Sequence, residues 1–198
     1  DFPRDVEELE TLLGPRQPEQ RVIALPGMDS GIPIWLLGSS LFSAQLAAER
    51  GLPYAFASHF APQMLLQALD LYRRNFKPSA QLDKPYAIIG VPLVAAPTDE
   101  EAHYLASSLF QRVIGILTGK RGLLPPPRES YLDSLSPQEM AGLQQFLSCA
   151  VIGSPDTVRN GMQQLLDATQ ADEMMLVCDV FDPALRLRAL DLAVQARG

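Results

Sequence analysis

Ile34-Trp35-Leu36-Leu37-Gly38-Ser39-Ser40-Leu41-Phe42-Ser43-Ala44-Gln45-Leu46-Ala47-Ala48-Glu49-Arg50-Gly51-Leu52-Pro53-Tyr54-Ala55-Phe56-Ala57 is the stretch whose reading decides the fold. Ile34 to Leu37 form an unbroken apolar run, the pattern of a strand buried on both faces. Gly38 ends the run and frees the backbone to turn, and Ser39 or Ser40 can cap the helix that follows. Gly51 and Pro53 stop that helix. Tyr54 to Ala57 then read as a second strand, so the stretch is a βαβ unit. Its Gly-Ser-Ser turn leaves backbone N–H groups at a helix N-terminus, where an anion is favoured.

Working outward, Val6, Leu9, Leu12 and Leu13 have helical spacing near the start. Residues 14–33 are rich in Pro, Gly, Gln and charge and read as a loop, with a short extended piece at Arg21-Val22-Ile23-Ala24. After the βαβ unit, Pro62 suits a helix start, and that helix runs to about Phe76. A third strand covers Pro85 to Ala95. Pro92 is awkward within it, because proline cannot donate to a ladder and normally marks an edge or a bulge. Thr98 and Glu101 look like a capping box ahead of a long helix to about Leu117. Residues 119–135 are a loop around Pro125-Pro126-Pro127, and a helix from about Pro137 to Cys149 follows. Ser154-Pro155 opens the next helix, Glu173 to Cys178 is the fourth clear strand, and a last amphipathic helix spans about Pro183 to Ala196. Strands alternating with helices predict an α/β chain with about four parallel strands and flanking helices.

The chain has 198 residues, 47% hydrophobic and 20% charged, which suits one globular domain with a sizeable core. Its net charge of −7 argues against nucleic acid as a main partner, since a phosphate backbone calls for a basic face. No apolar run approaches the roughly 20 residues needed to span a bilayer. The chain opens Asp1-Phe2-Pro3-Arg4-Asp5, with no apolar signal segment and no initiating Met, so coding sequence upstream is expected. Cys149 and Cys178 lie in apolar surroundings and read as buried free thiols, which points to a reducing, cytoplasmic compartment. No Cys/His metal spacing, phosphate-loop motif or GxGxxG is present, and no Ser/His/Asp set can be assembled.

Three segments in register carry a family resemblance. They are Pro33 to Ser40 with Ala47 to Phe56, Lys84-Pro85-Tyr86 with Ala95 to Ala102, and Val151 to Val158 with Ala171 to Leu176. In order and spacing they resemble the C-terminal half of the bacterial luciferase-like, flavin-dependent monooxygenases, and the resemblance covers nearly the whole chain. The family fold is a (β/α)8 barrel with FMN at the C-terminal ends of its strands. A complete barrel takes roughly 250 residues, so the expectation is the second half of a TIM barrel in a single partial domain. The resemblance implies oxygenation of a small organic substrate by dioxygen and reduced FMN, the latter delivered by a separate flavin reductase. It also implies a homo-oligomer, with helices of one barrel face pairing in a homodimer.

By the same resemblance, Gly38, Ser39 and Ser40 match the turn that approaches the FMN phosphate, and Ser43 matches a nearby hydroxyl. A plain βα turn with a serine cap is the alternative reading of these residues. Phe56, Ala57, Ser58 and His59 end the next strand, and strand C-termini face the active site of a barrel. His59 is the candidate catalytic group, placed to donate to flavin or substrate; its alternative is a histidine that hydrogen-bonds in a loop. His103, within a helix, reads as structural. Two other functions stay open: a non-catalytic flavin-binding or structural half-barrel, and a dehydrogenase using a deazaflavin.

Overall fold

The structure is a computed structural model and describes residues 1–196. Seven helices and five strands follow one another along the described chain. The helices are α1 (Phe2–Leu13), α2 (Leu41–Arg50), α3 (Leu65–Asn75), α4 (Asp99–Leu117), α5 (Pro137–Phe146), α6 (Pro155–Thr169) and α7 (Pro183–Ala196). The strands are β1 (Leu36–Gly38), β2 (Tyr54–Phe56), β3 (Ala87–Ala95), β4 (Val151–Gly153) and β5 (Glu173–Val177). Every strand pair is parallel. Ile88 and Ile89 pair with both β2 and β5, so these flank β3 and give a row β1-β2-β3-β5. The short β4 pairs only with Leu93 to Ala95, at the far end of β3. The expected four strands are thus the row, and β4 is an addition.

The two faces of the row differ. Leu36, Tyr54, Phe56, Ala87, Ile89 and Val91 alternate onto one face and are buried beneath helices. Ala68, Leu69 and Tyr72 of α3 and Ala44 and Ala47 of α2 meet them in a single core. Each large side chain buried there contributes about 1.5–3 kcal/mol relative to exposure. Tyr72 stays satisfied inside it: its hydroxyl donates to the Leu52 carbonyl at 2.9 Å and accepts from the Tyr86 amide at 3.1 Å. On the opposite face Leu37 is 66% exposed and Met175 60% exposed. This corrects the expectation that Ile34 to Leu37 are buried on both faces. Only the helix side of the sheet is covered over β1, and Trp35 is exposed as well.

Several boundaries move. Gly38 is the last residue of β1, and Ile34 and Trp35 precede the strand. Ser40 holds the N-cap position of α2, but its side chain makes no cap bond. Thr98 does cap α4, accepting from the Glu101 amide at 3.2 Å. Glu101 instead pairs with Arg188, and the reciprocal capping box forms at Ser136 and Glu139 on α5. The helix expected to begin at Pro62 opens as a 3-10 turn, Pro62–Met64, and α5 stops at Phe146, short of Cys149. Arg21-Val22-Ile23-Ala24 joins no sheet. Pro92 sits in the central strand, not at an edge: it faces Val177, the last paired residue of β5, and pairing with β4 begins at the next residue. The proline occupies the step where β3 changes partner, where a missing donor is tolerated.

Gly51 closes α2 in the left-handed region at φ 64°, and a Cβ there would lie 2.3 Å from the Lys77 carbonyl. Arg50, just before it, ties α1 to α2 through Glu7 at 2.9 Å and through Glu10. Cys149 is buried and Cys178 half-buried, both as free thiols, and burial pushes both thiols above the usual cysteine range. No helix among the described residues is long and apolar enough to cross a membrane.

Candidate functional site

Because the strands are parallel, their C-terminal ends share one rim. Gly38 ends β1, Ala57 to His59 follow β2, and Cys178 and Asp179 follow β5. The Ala57 amide donates to the Gly38 carbonyl at 2.9 Å, which ties the first two ends together.

At the β1 end, a Cβ on Gly38 would lie 2.1 Å from Ser43 Oγ and 2.6 Å from Ser43 Cβ. The glycine is there so that the first turn of α2 can pack back on the strand. The Ser43 hydroxyl is buried and already used: it donates to the Ser40 carbonyl at 2.9 Å and lies 3.3 Å from the Tyr54 hydroxyl. Tyr54 also donates to the Ser40 carbonyl at 3.3 Å. Its burial raises the phenol pKa, and the bond to Ser43 opposes that. Ser40 itself is exposed, with only a 3.5 Å approach to Ser43 Oγ. The amides of Ser39, Ser40, Leu41 and Phe42 have no hydrogen-bond partner among the described residues, and the first turn of α2 holds no acidic side chain. An anion placed there would meet unspent donors and the positive end of the helix dipole.

At the β2 end, Phe56 is buried beneath the helices and does not face the rim. Ser58 is fully buried and donates to the Gly90 carbonyl at 2.7 Å. His59 packs on the open face of the sheet. Ile89 and Val91 point into the helix layer, so Gly90 points the other way, and its Cβ would lie 2.1 Å from His59 Nδ1. That nitrogen is buried and unpartnered. Burial lowers the imidazole pKa, the Arg112 charge lowers it further, and Asp179 opposes both. The shift favours the neutral ring, in which one nitrogen carries a lone pair and the other an N–H. Arg112 of α4 pairs with Asp179 at 2.8 Å, bridging the helix to the end of β5.

The structure thus brings Gly38, Ser39, Ser40, Ala57 and His59 to one rim, with Ser43 and Ser58 as supports behind it. His103 bonds within its own helix, its Nδ1 lying 2.8 Å from the Asp99 carbonyl. Tyr54, Gly90, Arg112 and Asp179 escaped the sequence reading. A lone glycine inside a strand signals close approach of another group, so Gly90 was findable. Arg112 and Asp179 are 67 residues apart and left no local signal.

The model of the family described as luciferase-like monooxygenase matches residues 7–173. The chain belongs to the luciferase-like monooxygenase family. A curated Escherichia coli (strain K12) relative named luciferase-like monooxygenase is 48% identical over 196 residues, covering 99% of this chain and 58% of the relative. Among solved structures, apo-MsnO8 superposes with a TM-score of 0.85 at 34% identity, over 99% of this chain and 59% of that one. Two looser likenesses show the fold alone. They are the oxygenating constituent of 3,6-diketocamphane monooxygenase in complex with FMN (20% identity, TM-score 0.55, 89% of this chain and 51% of that one) and the coenzyme F420-dependent tetrahydromethanopterin reductase from Methanopyrus kandleri (17%, 0.62, 98% and 61%). This luciferase-like chain therefore spans less than two thirds of the relatives it matches, and its four-strand row is half of the eight strands that close a (β/α)8 barrel.

Proposed function

We propose that this chain is the flavin-holding C-terminal half of a monooxygenase barrel that acts on a small organic substrate with reduced FMN and dioxygen. The observation that carries the reading is the α2 N-terminus: unspent amides and an exposed Ser40 hydroxyl at a strand C-terminus, with no internal carboxylate. A phosphate dianion suits these donors. The residues fit the cofactor in a second respect, since the rim also presents the His59 imidazole with a buried, unpartnered Nδ1.

Bound reduced flavin would supply the two electrons with which dioxygen gives one oxygen atom to the substrate and leaves the other as water. The residues of the chain do the rest. Ser39 to Phe42 bind the phosphate through their amides. Ser43 and Tyr54 fix the Ser40 carbonyl and hence the direction of the turn. His59, held over Gly90, gives or takes a proton at the reacting face. A separate reductase delivers the reduced flavin. The unpaired edges of β1 and β5 and the open apolar face lead us to expect a homo-oligomer, which light scattering tests: a clean monomer would remove that argument.

The test is a titration with FMN and with riboflavin, followed by flavin fluorescence, on wild type and Ser40→Ala. A lost bond to a charged group predicts roughly tenfold weaker FMN binding, with riboflavin unchanged. Equal weakening of both refutes the phosphate role. F420-dependent proteins share the fold, so the same titration with F420 separates the deazaflavin reading: tighter binding of F420 than of FMN would favour a dehydrogenase.

A further inference from the structure

The chain has two histidines, and their Nδ1 atoms face opposite kinds of neighbour. His103 Nδ1 lies 2.8 Å from the Asp99 carbonyl. A carbonyl oxygen only accepts, so in the neutral ring that nitrogen carries the proton. His59 Nδ1 faces Gly90 instead. The position of a Gly90 Cβ is 2.1 Å from Nδ1, and 3.0 and 3.1 Å from Cε1 and Cγ. A point over the ring face at the same distance from Nδ1 would be nearer to both carbons. The position therefore lies in the plane of the ring, beyond Nδ1, on the line along which a proton or a lone pair of that nitrogen points. Glycine carries a hydrogen in the Cβ direction, so its Cα–H aims at Nδ1.

The residues on either side of His59 hold this contact in place. Ser58 is fully buried and donates to the carbonyl of the same Gly90 at 2.7 Å. The Phe60 amide donates to the Ala57 carbonyl at 3.0 Å, and the Phe60 ring meets Phe146 of α5 edge to face with centroids 6.3 Å apart. A hydrogen on His59 Nδ1 would strike the glycine hydrogen and find no acceptor, and a buried donor without an acceptor is costly. A lone pair there receives a weak C–H contact instead. The charged groups acting on the ring supply no acceptor either. Asp179, beyond β5, gives Oδ1 to Arg112 of α4 at 2.8 Å, and His59 Nδ1 bonds to neither. Burial and the Arg112 charge both disfavour the imidazolium, which Asp179 opposes. Of the two ring nitrogens only Nδ1 is buried without a partner, and Nε2 is the one open to a ligand.

We propose that Gly90 is a positioning residue. It fixes His59 in the tautomer with the proton on Nε2, and so makes it a hydrogen-bond donor to a carbonyl or anionic oxygen of the ligand at the rim, not a base. The tautomer rests on this chain alone. Only the donor role rests on the flavin reading above, and it narrows the part of His59 in that reading to giving.

Long-range 1H–15N NMR of the 15N-labelled full chain tests it, at about pH 8.5, well above the ordinary histidine value of about 6.5. A ring nitrogen without a proton resonates far downfield of one that carries a proton, so the tautomer is read directly. His103→Gln assigns the two sets of signals. The expected result is a single tautomer at His59, with Nδ1 bare and Nε2 protonated, and the reverse at His103. A proton on His59 Nδ1, or the averaged shifts of two exchanging tautomers, would overturn the proposal. In Gly90→Ala the methyl displaces the ring, and His59 should then give averaged shifts; circular dichroism checks that the variant is folded. An unchanged tautomer in the folded variant would remove Gly90 as the cause and overturn the proposal, and the wild-type pattern decides on its own where the variant does not fold. Adding FMN to wild type should shift Nε2 and its proton. FMN that binds and leaves these signals unmoved would overturn the donor role. FMN that fails to bind would sink the flavin reading and leave the tautomer standing, because it is read in the free chain.

Discussion

Two strands of this chain end in Gly-Ser and pass straight into a helix. Gly38-Ser39-Ser40 leads into α2, and Gly153-Ser154-Pro155 leads into α6. In both turns the glycine lets the helix pack back on its strand: a Cβ on Gly153 would lie 2.6 Å from Thr157 Cβ, much as one on Gly38 would strike Ser43. The electrostatic settings differ. At α6 the Asp99 carboxylate fills the helix start, accepting from the Ser154 amide at 2.6 Å, and the bonds it receives hold its pKa below the ordinary carboxylate range. At α2 no side chain does this. Similar local sequence therefore yields one helix N-terminus neutralised from within and one left for an anion from outside.

The contrast can be broken from the α2 side first. Gly38→Ala drives a methyl into Ser43, and overpacking of this kind costs about 1–3 kcal/mol. Urea denaturation should show that loss, together with loss of FMN binding; an unchanged midpoint would mean that the turn is not sterically fixed. Gly90→Ala should be next in size, because its methyl would overlap the His59 ring. NMR of the imidazole should show His59 displaced and titrating nearer to its ordinary value, while FMN affinity changes little.

Asp99→Ala probes the other turn. The folded pKa of Asp99 is depressed, so its contribution is present above the unfolded value, about 4, and is lost as pH falls through the folded one. Wild type should therefore lose stability on acidification through that window more steeply than Asp99→Ala. At neutral pH the variant should melt below wild type, with faster amide exchange at Ser154. Parallel pH profiles for the two proteins would contradict the assignment. Ser40→Ala should have the smallest effect on folding, within about 0.5 kcal/mol, because its side chain makes no cap bond. Its effect belongs to ligand binding alone.

Much of this architecture is legible in the residues. The apolar runs before Gly38 and around Ile89, with Gly and Pro punctuation between helices, specify a parallel α/β chain, and the rim residues follow from where strands end. Three things are not legible locally. Burial of β1 on one face only depends on what covers the sheet, which the run Ile34 to Leu37 does not encode. The hydrogen bond of Ser43 to Tyr54 depends on a residue that comes from the next strand. The filling of α6 by Asp99 joins residues 55 apart. Each is a tertiary contact that local propensity and spacing do not report.

The central claim is that the phosphate of FMN goes to the α2 turn and not to the α6 turn. Backbone 15N–1H spectra recorded while FMN is added test it most directly. The account predicts saturable shifts at the amides of Ser39, Ser40, Leu41 and Phe42, absent with riboflavin, and none at Ser154, Asp156 and Thr157. Phosphate-dependent shifts at the α6 turn, or FMN binding that leaves the α2 amides unmoved, would contradict it.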